Sequence, residues 1–79
     1  MTNLQKYDDT FIEMFSLTAQ DLNISLVYQS IQAWDSVGHM TLMAALESVF
    51  DIMFEIEDII DFSSYVKGKV ILAKYGVVV

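Results

Sequence analysis

The feature that most constrains this chain is what it lacks. In 79 residues there is no proline, and the only glycines are Gly38, Gly68 and Gly76. A chain with so few breakers runs in long uninterrupted segments, and its apolar residues recur at three- and four-residue steps. Together these point to helices rather than strands. From Asn3 to Phe15 the residues Leu4, Tyr7, Phe11, Met14 and Phe15 form one apolar face. Thr2 or Asn3 is positioned to cap that helix, and Asp8, Asp9 and Glu13 fall on its wet side.

Residues 16–35 read differently. Thr18, Gln20, Asp21, Asn23, Ser25, Gln29, Ser30 and Gln32 break up Leu17, Leu22, Ile24, Leu26, Val27 and Ile31 without one period. The expectation is a long loop pinned by those apolar side chains, with room for one short helical turn. A structureless stretch of about twenty residues is uncommon in a small domain and usually has a function. The best helix follows, over Ser36–Phe50. On it His39, Leu42, Met43, Leu46, Val49 and Phe50 share one side, and Val37, Met40, Thr41, Ala44, Glu47 and Ser48 share another. The second side is half apolar. Either a small bundle buries it, or it is a docking face with Val37, Met40 and Ala44 as contact and Glu47 as acidic rim.

Asp51 to Ile56 reads as a turn or extended connector. Glu57 to Phe62 makes one short helix, with Ile59, Ile60 and Phe62 inward and Glu57, Asp58 and Asp61 outward. Ser63 or Ser64 caps a last helix, Tyr65 to Lys74, with Val66, Val70 and Ala73 as its apolar line, widened by Ile71 and Leu72. Gly76 ends it, and Val77–Val79 form a frayed or edge-packed tail. The expected fold is therefore all-α: a four-helix bundle of three main helices and one short helix, with a long loop between helices 1 and 2. It spans residues 1–79 as a single domain.

Composition narrows the function. The net charge is −7, with only Lys6, Lys67, Lys69 and Lys74 as cations, so nucleic acid and anionic membrane surfaces are poor partners. Basic patches on other proteins are better ones. With no cysteine, disulfides, thiolate metal sites and cysteine nucleophiles are excluded. Residues 1–6 lack the basic and apolar regions of a signal peptide, and Glu47, Asp51, Glu55 and Glu57 interrupt the apolar stretch. A soluble, cytoplasmic monomer is expected. The acidic run from Asp51 to Asp61 lacks the alternating ligands and glycine of an EF-hand, so no metal site is expected.

Attention falls on Trp34-Asp35-Ser36-Val37-Gly38-His39-Met40. Ser36 stands where the loop ends and the helix begins. There backbone N–H groups lack partners and the helix dipole is positive, so a phosphate is stabilised. Asp35 beside it is suited to orient a Mg²⁺-dependent transfer onto Ser36. Gly38 lies in the first turn, where glycine costs roughly 1 kcal/mol against alanine. Either something bulky approaches beside Ser36, or the helix end tolerates it. His39 is three residues from Ser36, so a Ser–His dyad is conceivable. No Gly-x-Ser-x-Gly elbow accompanies it, however, and no catalytic residues are expected.

At these residues the chain resembles the acyl carrier proteins. Members of that family carry Asp-Ser-Leu at the start of their second helix; here the triplet is Asp35-Ser36-Val37. The likeness extends over the first helix, the loop, the Ser36 helix with Ala45-Leu46-Glu47 and Phe50-Asp51-Ile52, the short acidic helix and the last helix. The form around Trp34–Met40 is similar to discrete bacterial carriers outside the main fatty-acid pathway. Thr41 and Ser48 stand where housekeeping fatty-acid carriers are often acidic. The resemblance implies 4′-phosphopantetheine, taken from coenzyme A by a phosphopantetheinyl transferase and held on Ser36, with Gly38 and His39 near the arm. It implies an acyl group carried as a thioester, and acyl-loading and acyl-using enzymes whose basic patches read Val37, Met40, Ala44, Glu47, Glu57 and Asp58. A peptidyl carrier has the same fold and serine. An acidic helical adaptor in which Ser36 merely caps the helix is the bland alternative.

Overall fold

The computed structural model describes residues 1–79. It is all-helical, with α1 (Asn3–Phe15), α2 (Ser36–Phe50), α3 (Ile56–Asp61) and α4 (Tyr65–Ala73). These pack into a small bundle about 29 × 28 × 20 Å. No helix is long and apolar enough to cross a membrane.

Helix α1 begins at a capping box. The Thr2 hydroxyl accepts from the Gln5 N–H at 3.1 Å, and the Gln5 side chain accepts from the Thr2 N–H at 2.9 Å. Its inner face is Tyr7, Phe11 and Phe15, spaced four apart, with Thr10 buried beside them. Thr10 is satisfied by donating to the Lys6 carbonyl. Leu4 and Met14 lie at the edges of this face and are partly exposed. Asp8 is not on the wet side as expected. It is half-buried and accepts from the Tyr65 hydroxyl at 2.6 Å.

Residues 16–35 form turns and one 3-10 turn, Ala19–Asp21. Leu26 and Trp34 are the buried anchors, whereas Ile24, expected to pin the segment, is exposed. The segment is also tied to the start of α4. The Tyr28 N–H donates to the Ser63 carbonyl and the Tyr65 N–H to the Leu26 carbonyl, at 2.8 and 2.9 Å.

Phe11 sits at the centre of the core. Its ring meets Tyr7, Phe15, Trp34, Phe62 and Tyr65 at centroid distances of 5.0–6.3 Å. Aromatic pairs of this kind, four edge-to-face and the one with Phe62 stacked, add about 0.5–1.5 kcal/mol each beyond the area they bury. Leu42, Met43 and Leu46 of α2 close the core from the other side, while Val49 is partly exposed.

Helix α4 buries Ile71 and Leu72 as expected but turns the Val66, Val70 and Ala73 line away from the core. Tyr65, Gly68, Ile71 and Leu72 face the core, and Val66, Val70 and Ala73 face outward. The reason is Gly68. A methyl group there would lie 2.2 Å from the Tyr7 Oη and 2.3 Å from the Phe62 Cζ, so the missing side chain is what lets the aromatic rings reach the helix. Ser64 caps α4, accepting from the Lys67 N–H at 2.8 Å. After the helix, Gly76 adopts φ 79°, and the Val77 N–H returns to the Leu72 carbonyl, burying Val77.

Helix α3 also departs from expectation. Ile59 and Phe62 point inward, but Ile60 is 75% exposed, and Asp58 is only 4% exposed. Asp58 accepts from the Lys74 ammonium and from the Tyr75 hydroxyl, which in turn accepts from the Glu55 N–H. Those hydrogen bonds, Lys74 first, hold its carboxyl below the usual carboxylate range. A buried carboxylate is tolerable only with partners of this kind.

Candidate functional site

Asp35, not Ser36, caps α2. Its backbone is extended and its carboxylate accepts from the Gly38 N–H at 2.8 Å. Ser36 is the first helical residue and is exposed. Its hydroxyl therefore stands at the positive end of the helix with no part in the cap. Gly38 has an internal explanation. A methyl group there would lie 2.0 Å from the Ala33 carbonyl oxygen, so the chain's own backbone takes the space. Neither a bulky group beside Ser36 nor simple tolerance at a helix end is needed to account for this glycine.

Between the start of α2 and the end of α3 lies an open cavity of about 350 Å³, lined by Tyr28, Ser36, His39, Met40, Ile59, Ile60, Phe62 and Ser63. The structure brings Ser36, His39 and Met40 together there. Tyr28, Ile59, Ile60, Phe62 and Ser63 were not legible as site residues. They come from two other stretches, and Ile59, Ile60 and Phe62 read in the sequence only as core residues.

His39 is half-buried against this cavity. Its Nδ1 accepts from the Trp34 indole N–H at 2.9 Å, and its Nε2 lies 2.7 Å from the Ile59 carbonyl oxygen. An indole nitrogen only donates and a carbonyl only accepts, so the partners assign the Nε2–H tautomer. Both ring nitrogens are engaged. None is left to take a proton from Ser36, and the Ser–His dyad does not form.

Of the residues expected to meet partners, Val37 (74% exposed) and Met40 (55% exposed) are in solvent beside Ser36. Ala44 and Glu57 are also exposed. Ala44 and Glu47 lie further along α2, outside the cavity. Glu47 is half-buried, and its carboxylate accepts from the Phe54 N–H at 2.8 Å, which stitches the connector to α2 rather than offering a free rim. Asp58 is sealed against Lys74 and Tyr75 and presents nothing outward, so its place among the partner-facing residues is corrected. A helix start reads as solvated, and Lys74 and Tyr75 are too distant in sequence to show otherwise. The exposed surface gains two residues in exchange, Ile56 and Ile60 of α3, with Glu57 and Asp61 exposed next to them.

No group of three His, Cys, Asp or Glu side chains is gathered to hold a metal ion. The chain matches no protein-family model, no curated protein and no solved structure.

Proposed function

We propose that the chain is an acyl carrier protein that bears 4′-phosphopantetheine on Ser36 and presents acyl groups to other enzymes. The observation that carries this reading is the Ser36 hydroxyl: exposed, first in its helix and relieved of capping by Asp35. A serine kept only as a helix cap would make the capping bond itself, and this one does not, which weighs against the adaptor reading.

The residues present fit the group. A phosphodiester on Ser36 meets the positive end of α2. The adjoining cavity offers an arm one wall of apolar side chains and few polar ones. The arm supplies a thiol, which this cysteine-free chain lacks, and with it a thioester for the cargo. The chain's own part is to hold the attachment point outward and to offer Val37, Met40, Ile56 and Ile60, flanked by Glu57 and Asp61, to a partner with an apolar strip and a basic rim. A phosphopantetheinyl transferase is the first such partner, and acyl-loading and acyl-using enzymes follow.

The test is intact mass after incubation with coenzyme A, Mg²⁺ and a broad-specificity phosphopantetheinyl transferase. The chain is expected to gain one phosphopantetheine, and Ser36→Ala none. A chain that stays unmodified, or gains mass at another residue, overturns the reading.

A further inference from the structure

Trp34 ends the connecting segment and Ile59 lies near the end of α3. Each turns one polar atom toward His39 and has no other partner for it. The Ile59 carbonyl is one of the last in its helix, where no intrahelical donor remains. One imidazole on α2 therefore holds the Trp34 turn by one edge and α3 by the other, beside the cavity that adjoins Ser36.

Only one protonation state makes both bonds. Nδ1 must be bare for the indole and Nε2 must carry hydrogen for the carbonyl. A second proton lands on Nδ1 and sets N–H against N–H. The bond to Ile59 survives, strengthened by charge at the C-terminal end of α3. The bond to Trp34 is lost. The surroundings offer the new charge no carboxylate in exchange. Tyr28 is the one titratable side chain against the ring, edge-on at 5.5 Å, and Phe62 lies edge-on at 6.2 Å. The Asp35 carboxylate, one turn back, is occupied by the Gly38 N–H, and Asp58 of α3 faces Lys74 and Tyr75. No charged side chain lines the cavity.

We infer that neutral His39 is the positioning residue that sets α3 against α2 beside Ser36, and that its protonation releases Trp34 and reshapes the cavity. The inference concerns regulation of the site in the carrier reading and rests on that reading only for what the cavity receives.

The chain has one tryptophan and one histidine, so each can be followed alone. Trp34 emission is measured on the full chain from neutral to mildly acidic pH, with circular dichroism in parallel. Wild type is expected to lose intensity and shift to longer wavelength in a one-proton transition while its helices persist. His39→Gln, whose amide can accept from the indole and donate to the carbonyl without titrating, is expected to give a flat profile. A His39→Gln chain that keeps the transition, or a wild type without one, overturns the inference. Nitrogen-15 spectra of the wild-type imidazole need no variant: hydrogen on Nε2 at neutral pH is expected, and hydrogen on Nδ1 overturns it. None of these readouts needs an arm on Ser36, so they stand or fall apart from the mass measurement.

Discussion

The α1–α4 side and the α2–α3 side of this molecule are built from similar amounts of apolar side chain and finished in opposite ways. Between α1 and α4 the contact is closed. Gly68 admits the Tyr7 and Phe62 rings, the Tyr7 hydroxyl donates to the Tyr65 carbonyl at 2.6 Å, and Phe11 is ringed by aromatic side chains. Between α2 and α3 a cavity remains open, and Val37, Met40, Ile56 and Ile60 are left in water. Helix α3 is short. Its polar ties to the rest are His39 to Ile59 and the Lys74 and Tyr75 bonds to Asp58. Stiff rings with defined geometry stand where the fold must be fixed, and methionine and aliphatic side chains stand where a surface must adapt. An element held by few buried contacts is also the one that opens at low cost.

That contrast is open to attack at three levels. The largest effect belongs to the closed side. Phe11→Ala is expected to lose about 3–5 kcal/mol in urea unfolding, the usual cost of emptying a packed aromatic site. A loss below about 1 kcal/mol, the average for any substitution, breaks the claim that the rings carry the fold. The next effect appears at high pH. Burial, foremost, pushes the Tyr7 and Tyr65 phenols well above their ordinary value of 10.0, with Asp8 adding to both shifts. Because the folded values are raised, this stabilisation is full below 10.0 and is lost as pH rises beyond it. Phenolate absorbance is expected to rise in two stages, the second coinciding with loss of helical dichroism. Ionisation of every tyrosine in an intact fold contradicts it. The smallest effect belongs to the open side. Met40→Glu is expected to change stability by no more than about 0.5 kcal/mol while weakening capture by a carrier-dependent enzyme. Unfolding of that variant would move α2's outer face into the core.

The parts of this fold that depend on neighbours in sequence were legible before the structure. Thr2, one of two candidate caps, marks the start of α1, Tyr7, Phe11 and Phe15 its inner face, and Ser36 to Phe50 the full extent of α2. What depends on residues far apart was not. Val66, Val70 and Ala73 make a valid apolar line on α4, yet the line faces solvent because the tightest contact is made by a glycine, which no hydropathy pattern scores. Asp58 looks like a solvated residue until Lys74 and Tyr75 fold back onto it. In the site, Ser36 was readable from its place between a loop and a helix. The second wall of the cavity was not, since Ile59, Ile60 and Phe62 reach it only through tertiary packing.

One consequence follows from the pairing of Asp35 with Ser36. Adjacent residues share the helix entrance but divide its work: the carboxylate fastens the first turn, and the alcohol beside it bears no hydrogen bond on which the turn depends. Esterifying that alcohol, or cutting the ester again, leaves the scaffold's own fastenings untouched. In the proposed carrier, cargo would be mounted and stripped repeatedly on a frame that does not have to refold each time.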